Sequence, residues 1–171
     1  SLIEMEPDRS YDRLRFLMGR FEDTASKFYS EYQENEVLIG KLPLRMMSKC
    51  THNLLKSIDY KKVKHIREKN FEYLHERLKG INQLLVEPCE GPYMYPFLVK
   101  NGGELRKQLQ REKVYIPILW PNVLLDLPDT SIEYQLAKNI LPLPCDQRYT
   151  PVDMAYVVNK IIENKMEGEY L

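Results

Sequence analysis

The sequence predicts an α+β fold: a helical N-terminal half followed by a small, mainly antiparallel sheet with helices packed on one face. Three observations carry this. Up to Gly80 the apolar side chains recur at helical spacings of three and four; beyond it an aromatic run alternates with period two; and the turn residues Glu90-Gly91-Pro92 and Asn101-Gly102-Gly103 separate short apolar stretches.

In chain order, Asp8 or Ser10 caps a long amphipathic helix. Leu14, Leu17, Met18, Phe21, Ala25, Phe28 and Tyr32 form its single apolar stripe, and Phe16 and Tyr29 lie off it, free for a second contact. Gly40 breaks the pattern. Pro43 opens a second helix, where its missing N–H costs nothing, with Met47, Cys50, Leu54, Leu55 and Ile58 facing inward. Asp59 caps a third helix built on Tyr60, Val63, Ile66, Phe71, Leu74 and Leu78, and Gly80 ends it in a left-handed conformation. Residues 81–86 read as a short strand. In the next strand Tyr93, Tyr95, Phe97 and Val99 alternate with Met94, Pro96 and Leu98, and Pro96 marks an edge or a bulge. Asn101-Gly102-Gly103 then turns into a short charged helix holding Leu105 and Leu109, and residues 114–119 read as a further strand. A helix over about 131–138, a strand through Leu141 and Leu143, and a terminal helix over 152–162 complete the chain. Thr150 caps that last helix, Pro151 fills its first turn and Asp153 reaches back to the cap.

A length of 171 residues suits one domain, 1–171, divided internally into N-terminal helices (1–58) and an α+β core (59–171). The composition, 43% hydrophobic and 29% charged, is that of an ordinary globular protein, and no apolar run approaches the roughly 20 residues of a membrane span. Lys plus Arg and Asp plus Glu both total 25, so nothing draws the chain generally to nucleic acid or to an acidic membrane, and neither partner is expected. Cys50, Cys89 and Cys145 are odd in number and lack zinc-knuckle spacing, which suits buried thiols in a reducing compartment and a cytoplasmic location. The start, residues 1–7, has no basic region followed by an apolar core and reads as a truncated or processed terminus, not a signal peptide.

Motifs for chemistry are few. His52, His65 and His75 contain no pair four apart; His75-Glu76 begins like a zinc-protease helix, but Lys79 stands where the second histidine belongs, so all three read as solvated helix-surface histidines. Lys49, after Ser48, sits in an amphipathic helix with no glycine-rich cradle beside it, which argues against a Schiff-base role. No G-x-G-x-x-G, P-loop or Gly-x-Ser-x-Gly pattern occurs. Two clusters remain. Trp120 stands between prolines at the end of a probable strand, where its ring either lines a cleft or packs between domains. Asp146-Gln147-Arg148-Tyr149 lies between a strand and a helix, where the arginine fork either orients a carboxylate or phosphate or satisfies the junction's own backbone.

Those clusters, with Tyr95-Pro96-Phe97-Leu98-Val99, Glu104-Leu105 and Lys138-Asn139-Ile140-Leu141-Pro142-Leu143-Pro144, resemble in order and spacing the C-terminal small domain of the DegT/DnrJ/EryC1/StrS aminotransferases. These are fold-type I enzymes that use pyridoxal phosphate (PLP) and act as dimers, often on nucleotide-linked keto-sugars. The resemblance runs from about Asn53 to the end. It implies a chain lacking the large domain with the cofactor lysine: PLP belongs to the intact parent, and no cofactor is expected here. It further implies that this domain packs beside the large PLP domain, shapes the substrate side of the cleft and is inactive alone. The parent is expected to be a homodimer. Trp120 as a wall and Asp146, Gln147 and Arg148 as orienting polar groups are the substrate-side residues so implied. Pro117 and Leu119 stand where sugar-aminating members commonly place a basic residue and a histidine, so a nucleotide-sugar substrate does not carry over. The alternative is a stand-alone α+β interaction or regulatory module, with Phe16 and Tyr29 turned to a partner.

Overall fold

The computed structural model describes residues 5–168, and side chains as far as residue 164. The chain falls into two compact units, Ser1–Ile58 and Asp59–Leu171.

In the first unit a 3-10 turn (Ser10–Arg13) leads into α1 (Arg15–Glu22), followed by α2 (Tyr29–Ile39) and α3 (Lys49–Lys56). The expected single long helix is thus broken. Asp23 leaves helical geometry at φ −128° and ψ −122°, and α2 returns alongside α1. The turn closes through aromatic packing: the Phe28 ring lies against the open side of Gly19, and the Phe16 and Tyr32 rings are 5.9 Å apart. The stripe accordingly does not bury. Phe16, expected outside it, is the buried residue, whereas Leu17, Met18 and Phe21 are exposed, Phe21 at 88%. A unit this small cannot build a second apolar layer of its own.

The second expected helix also starts late. Pro43 lies in an extended segment where Met46 bridges to Pro7, and Ser48 caps α3 by accepting from the Thr51 N–H at 3.0 Å. Met47, Cys50, Leu54, Leu55 and Ile58, expected inward, are exposed.

The second unit follows the α+β plan: α4 (Tyr60–Leu78), β1 (Met94–Leu98), α5 (Gly102–Arg111), α6 (Val123–Asp126), α7 (Ile132–Asn139), β2 (Ile140–Pro144) and α8 (Pro151–Gly168). Asp59 Oδ1 accepts from the Lys62 N–H at 3.0 Å to start α4, Ser131 Oγ accepts from Tyr134 N–H at 3.2 Å to start α7, and Asp153 Oδ2 accepts from Thr150 N–H at 2.7 Å before α8. Gly80 does not end α4 in a left-handed turn; Lys79 caps it in helical geometry, because the chain continues through Ile81 N–H and Asn82 N–H to the Leu78 carbonyl.

β1 and β2 form a two-stranded antiparallel sheet with Tyr95 opposite Leu143 and Phe97 opposite Leu141. These four side chains are fully buried and face one way, as a period of two requires. Pro96 stands opposite Pro142, and neither has an N–H to give to the other strand, so the pair occupies a rung where proline costs no ladder hydrogen bond, with Pro142 itself buried. Residues 81–86 do not extend the sheet. Instead Asn82 occupies the outer edge of β1: its Oδ1 accepts from Leu98 N–H at 3.0 Å and its Nδ2 donates to Pro96 O at 2.9 Å. Residues 114–116 alternate as a strand would, with Val114 and Ile116 buried and Tyr115 exposed, but Ile118, on the same face as the buried pair, is exposed and the segment has no ladder partner.

Phe71, Leu74 and Leu78 of α4, Leu105 and Leu109 of α5, and Met154, Val157, Val158 and Ile161 of α8 complete the core over Tyr95, Phe97, Leu141 and Leu143. α8's four residues recur at three and four, one stripe along the helix. No helix among the described residues is long and apolar enough to cross a membrane.

Candidate functional site

Residues 145–149 connect β2 to α8, and α4 holds that connection from below. Asn70, buried on the apolar face of α4, turns its amide toward three carbonyls: Nδ2 lies 3.4 Å from Cys145 O, 3.2 Å from Asp146 O and 3.1 Å from Tyr149 O. One turn earlier, Arg67 Nε donates to Gln147 Oε1 at 3.0 Å and Nη1 donates to Pro92 O at 2.9 Å. Asn70 therefore holds the backbone of a loop more than 70 positions away in sequence, and Arg67 holds that loop's Gln147 side chain.

Within the loop Asp146 and Arg148 form a bidentate pair. Arg148 Nε donates to Oδ1 at 2.8 Å and Nη2 to Oδ2 at 2.9 Å, while the Arg148 N–H also donates to Oδ1 at 3.1 Å. The guanidinium beside it holds the Asp146 carboxyl below its ordinary range, with burial opposing; the carboxylate in turn raises the Arg148 pKa. The Asp146 side chain is 14% exposed and that of Arg148 is 73% exposed, so the pair is anchored at its acidic end and open to solvent at its basic end. The guanidinium also lies 5.6 Å from the Tyr149 ring. The structure thus brings Asp146, Gln147 and Arg148 together. Trp120, half exposed, stands just before α6 and shares no hydrogen bond, ring contact or cation–π contact with them among the described residues.

Asp146 is depressed relative to the unfolded chain, so the stability it contributes is present above about pH 4 and is lost as pH falls through its folded value. Asp146→Asn is expected to lower stability at pH 7 by about 0.5–1 kcal/mol, small because the arginine is solvent-screened, and to flatten the decline between about pH 5 and pH 2. Urea midpoints measured across that range check it.

Cys145 is fully buried at the end of β2, and burial pushes its thiol up to about 11. Cys50 and Cys89 are exposed, which corrects the expectation of three buried thiols. A thiol-reactive chromophore should therefore titrate two cysteines in the folded protein and the third only after unfolding.

His75 departs from the expected surface histidines. It is half-buried, stacked on Phe71 at 6.3 Å and edge-on to Tyr95 at 6.0 Å, with Nδ1 buried and lacking a partner. No cluster of three metal-ligating side chains occurs among the described residues.

In the Ser1–Ile58 unit, an open cavity of about 750 Å³ is lined by residues including Asp8, Arg45, Ser48, Lys49 and Cys50. It does not fit PLP. Lys49 is exposed in the first turn of α3, and no paired glycines lie beside it to cradle a phosphate. The one adjacent glycine pair, Gly102-Gly103, lies in the other unit and closes on the backbone of Asn139 and Lys138. The cofactor's chemistry is not assigned to residues of this chain.

Asn70 and Arg67 escape a sequence reading because their targets are non-local, although Asn70 does carry a signal: it is a polar residue one turn before Leu74 on the inward face of α4. No family model, no curated protein and no solved structure matches the chain.

Proposed function

We propose that the chain is the C-terminal small domain of a PLP-dependent aminotransferase-like protein, shaping the substrate side of a cleft that a lysine-bearing large domain completes, and inactive alone. The observation that carries the reading is the surface of the Ser1–Ile58 unit. Phe21, Leu44 and Leu54 are exposed although the sequence patterns Phe21 and Leu54 for burial, and exposed apolar side chains of this kind support a covering body. The order of aromatic strand, charged helix, Trp-Pro segment, Leu-Pro-Leu-Pro strand and capped terminal helix supports the same reading. In it, Asp146 is a positioning residue that holds Arg148 with its outer nitrogen free for an anionic group on the substrate, and Trp120 is the apolar wall. The parent acts as a cytoplasmic homodimer.

The alternative, a stand-alone interaction or regulatory module, draws on the same exposed surface. Absorbance with added PLP separates the two. The longest natural form of the protein should show the band near about 410–430 nm of lysine-bound PLP, and this chain should not. In that longer form Arg148→Ala should raise KM by roughly tenfold, with a loss of stability no larger than that of Asp146→Asn. Absence of the band from both forms would leave the module.

A further inference from the structure

Between Lys113 and Lys138 the sequence holds no Lys, Arg or His, where the chain's composition would place several. The same stretch holds three carboxylates, Asp126, Asp129 and Glu133, all exposed and none in an ion pair among the described residues. It also exposes large apolar side chains: Tyr115 at 69%, Trp120 at 51%, Leu125 at 85% and Ile132 at 75%. α6 packs against α7, and Ile132 and Leu136 lie one turn apart on α7 with Glu133 beside them. Apolar residues rimmed by uncompensated negative charge mark a contact surface for something apolar and positive.

The secondary structure narrows the partner further. From Trp120 to Leu136 the chain is α6, α7 and the turns beside them, which offer no backbone edge on which an extended peptide could add. What remains is side-chain recognition, in which a helix sets anchors at i, i+3, i+4 and i+7 among exposed apolar residues, with a tryptophan as a preferred anchor on the receiving side.

We infer that residues 115–136 form a docking face for a basic amphipathic helix, whose apolar stripe covers Trp120, Leu125 and Ile132 and whose Lys or Arg side chains meet Asp126, Asp129 and Glu133. This goes beyond the aminotransferase reading and departs from it in one respect, giving Trp120 to a partner helix in place of a cleft wall.

Trp120 is the sole tryptophan, so its emission reports on this face alone. The full chain is titrated with a synthetic helical peptide carrying Leu at i, i+3, i+4 and i+7 and Lys elsewhere, and separately with a twin carrying Glu in place of Lys. The Lys peptide should shift Trp120 emission to the blue saturably, with affinity falling roughly tenfold between about 50 and 500 mM salt, and the Glu twin should not bind. The double variant Asp126→Lys, Glu133→Lys should lose roughly tenfold in affinity at an unchanged unfolding midpoint. Equal shifts from both peptides, or unchanged binding by the variant, would overturn the inference, leaving only unspecific apolar adhesion. An emission shift that follows protein concentration alone, with no competition from the Lys peptide, would overturn it in favour of a second copy as the occupant.

Discussion

Replacing Gly102 by alanine is expected to destabilise the protein by about 3 kcal/mol or more, an effect of overpacking against a backbone that cannot yield. A Cβ on Gly102 would fall onto the Asn139 carbonyl oxygen, 2.7 Å from its carbonyl carbon and 2.8 Å from Leu141 Cδ1. No rotamer relieves a clash with main chain. Nor can α5 slide away, because its first turns are tied to the α7–β2 junction: Gly103 N–H points at Asn139 Oδ1 at 3.5 Å, and Arg106 donates through Nη1 to Lys138 O at 3.1 Å and through Nη2 to Ile140 O. Gly103→Ala meets Lys138 O at 3.3 Å, a contact relieved by a few tenths of an ångström, and Gly80→Ala meets nothing within 4 Å. Both should fall within about 1 kcal/mol of the unsubstituted protein, Gly103→Ala helped by the better helix propensity of alanine and Gly80→Ala by a less free unfolded chain. Urea unfolding of the three variants measures the contrast. Near-equal midpoints would show that the junction gives way more easily than its hydrogen bonds imply.

Asn70→Ala is expected to cost about 2–3 kcal/mol, since it strips the donor from carbonyls that close the β2–α8 connection away from water. Asn70→Asp should cost more than alanine. The carboxylate keeps the shape but cannot donate, and it brings a negative charge into a site 2% exposed beside carbonyl oxygens. Arg67→Ala, acting on the same loop through Gln147 and Pro92, should combine with Asn70→Ala non-additively. Thermal unfolding of single and double variants gives the coupling, and amide exchange should locate the lost protection at residues 145–150 before the rest of the unit.

Some of this protein is written locally. The caps at Asp59 and at Thr150 with Asp153 act within three residues, so they are legible in the sequence and are present in the fold. The stripes of α5 and α8 and the alternation of β1 are equally legible, because each element's inward face follows from its own repeat. The class, α+β with a small antiparallel sheet, follows from them.

Other features depend on what lies across the fold. Residues 81–86 and 114–119 carry strand-like patterns, yet a strand exists only where a ladder partner meets it. Asn82 already holds the edge of β1 beside the first, and nothing pairs with the second. Gly102 reads as a turn glycine, but the left-handed residue is Asn101 at φ 60°, and Gly102 is needed for the close approach of Asn139. The α1–α2 break at Asp23 has no glycine or proline to announce it and arises from the aromatic closure of Phe28 on Gly19. The loop of Asp146, Gln147 and Arg148 was visible as a polar cluster, while Asn70 and Arg67, which fix it, were not. Local rules determined which residues begin helices and which faces are apolar; which of those faces are covered was decided by long-range contact, because burial requires a second surface that no single segment supplies.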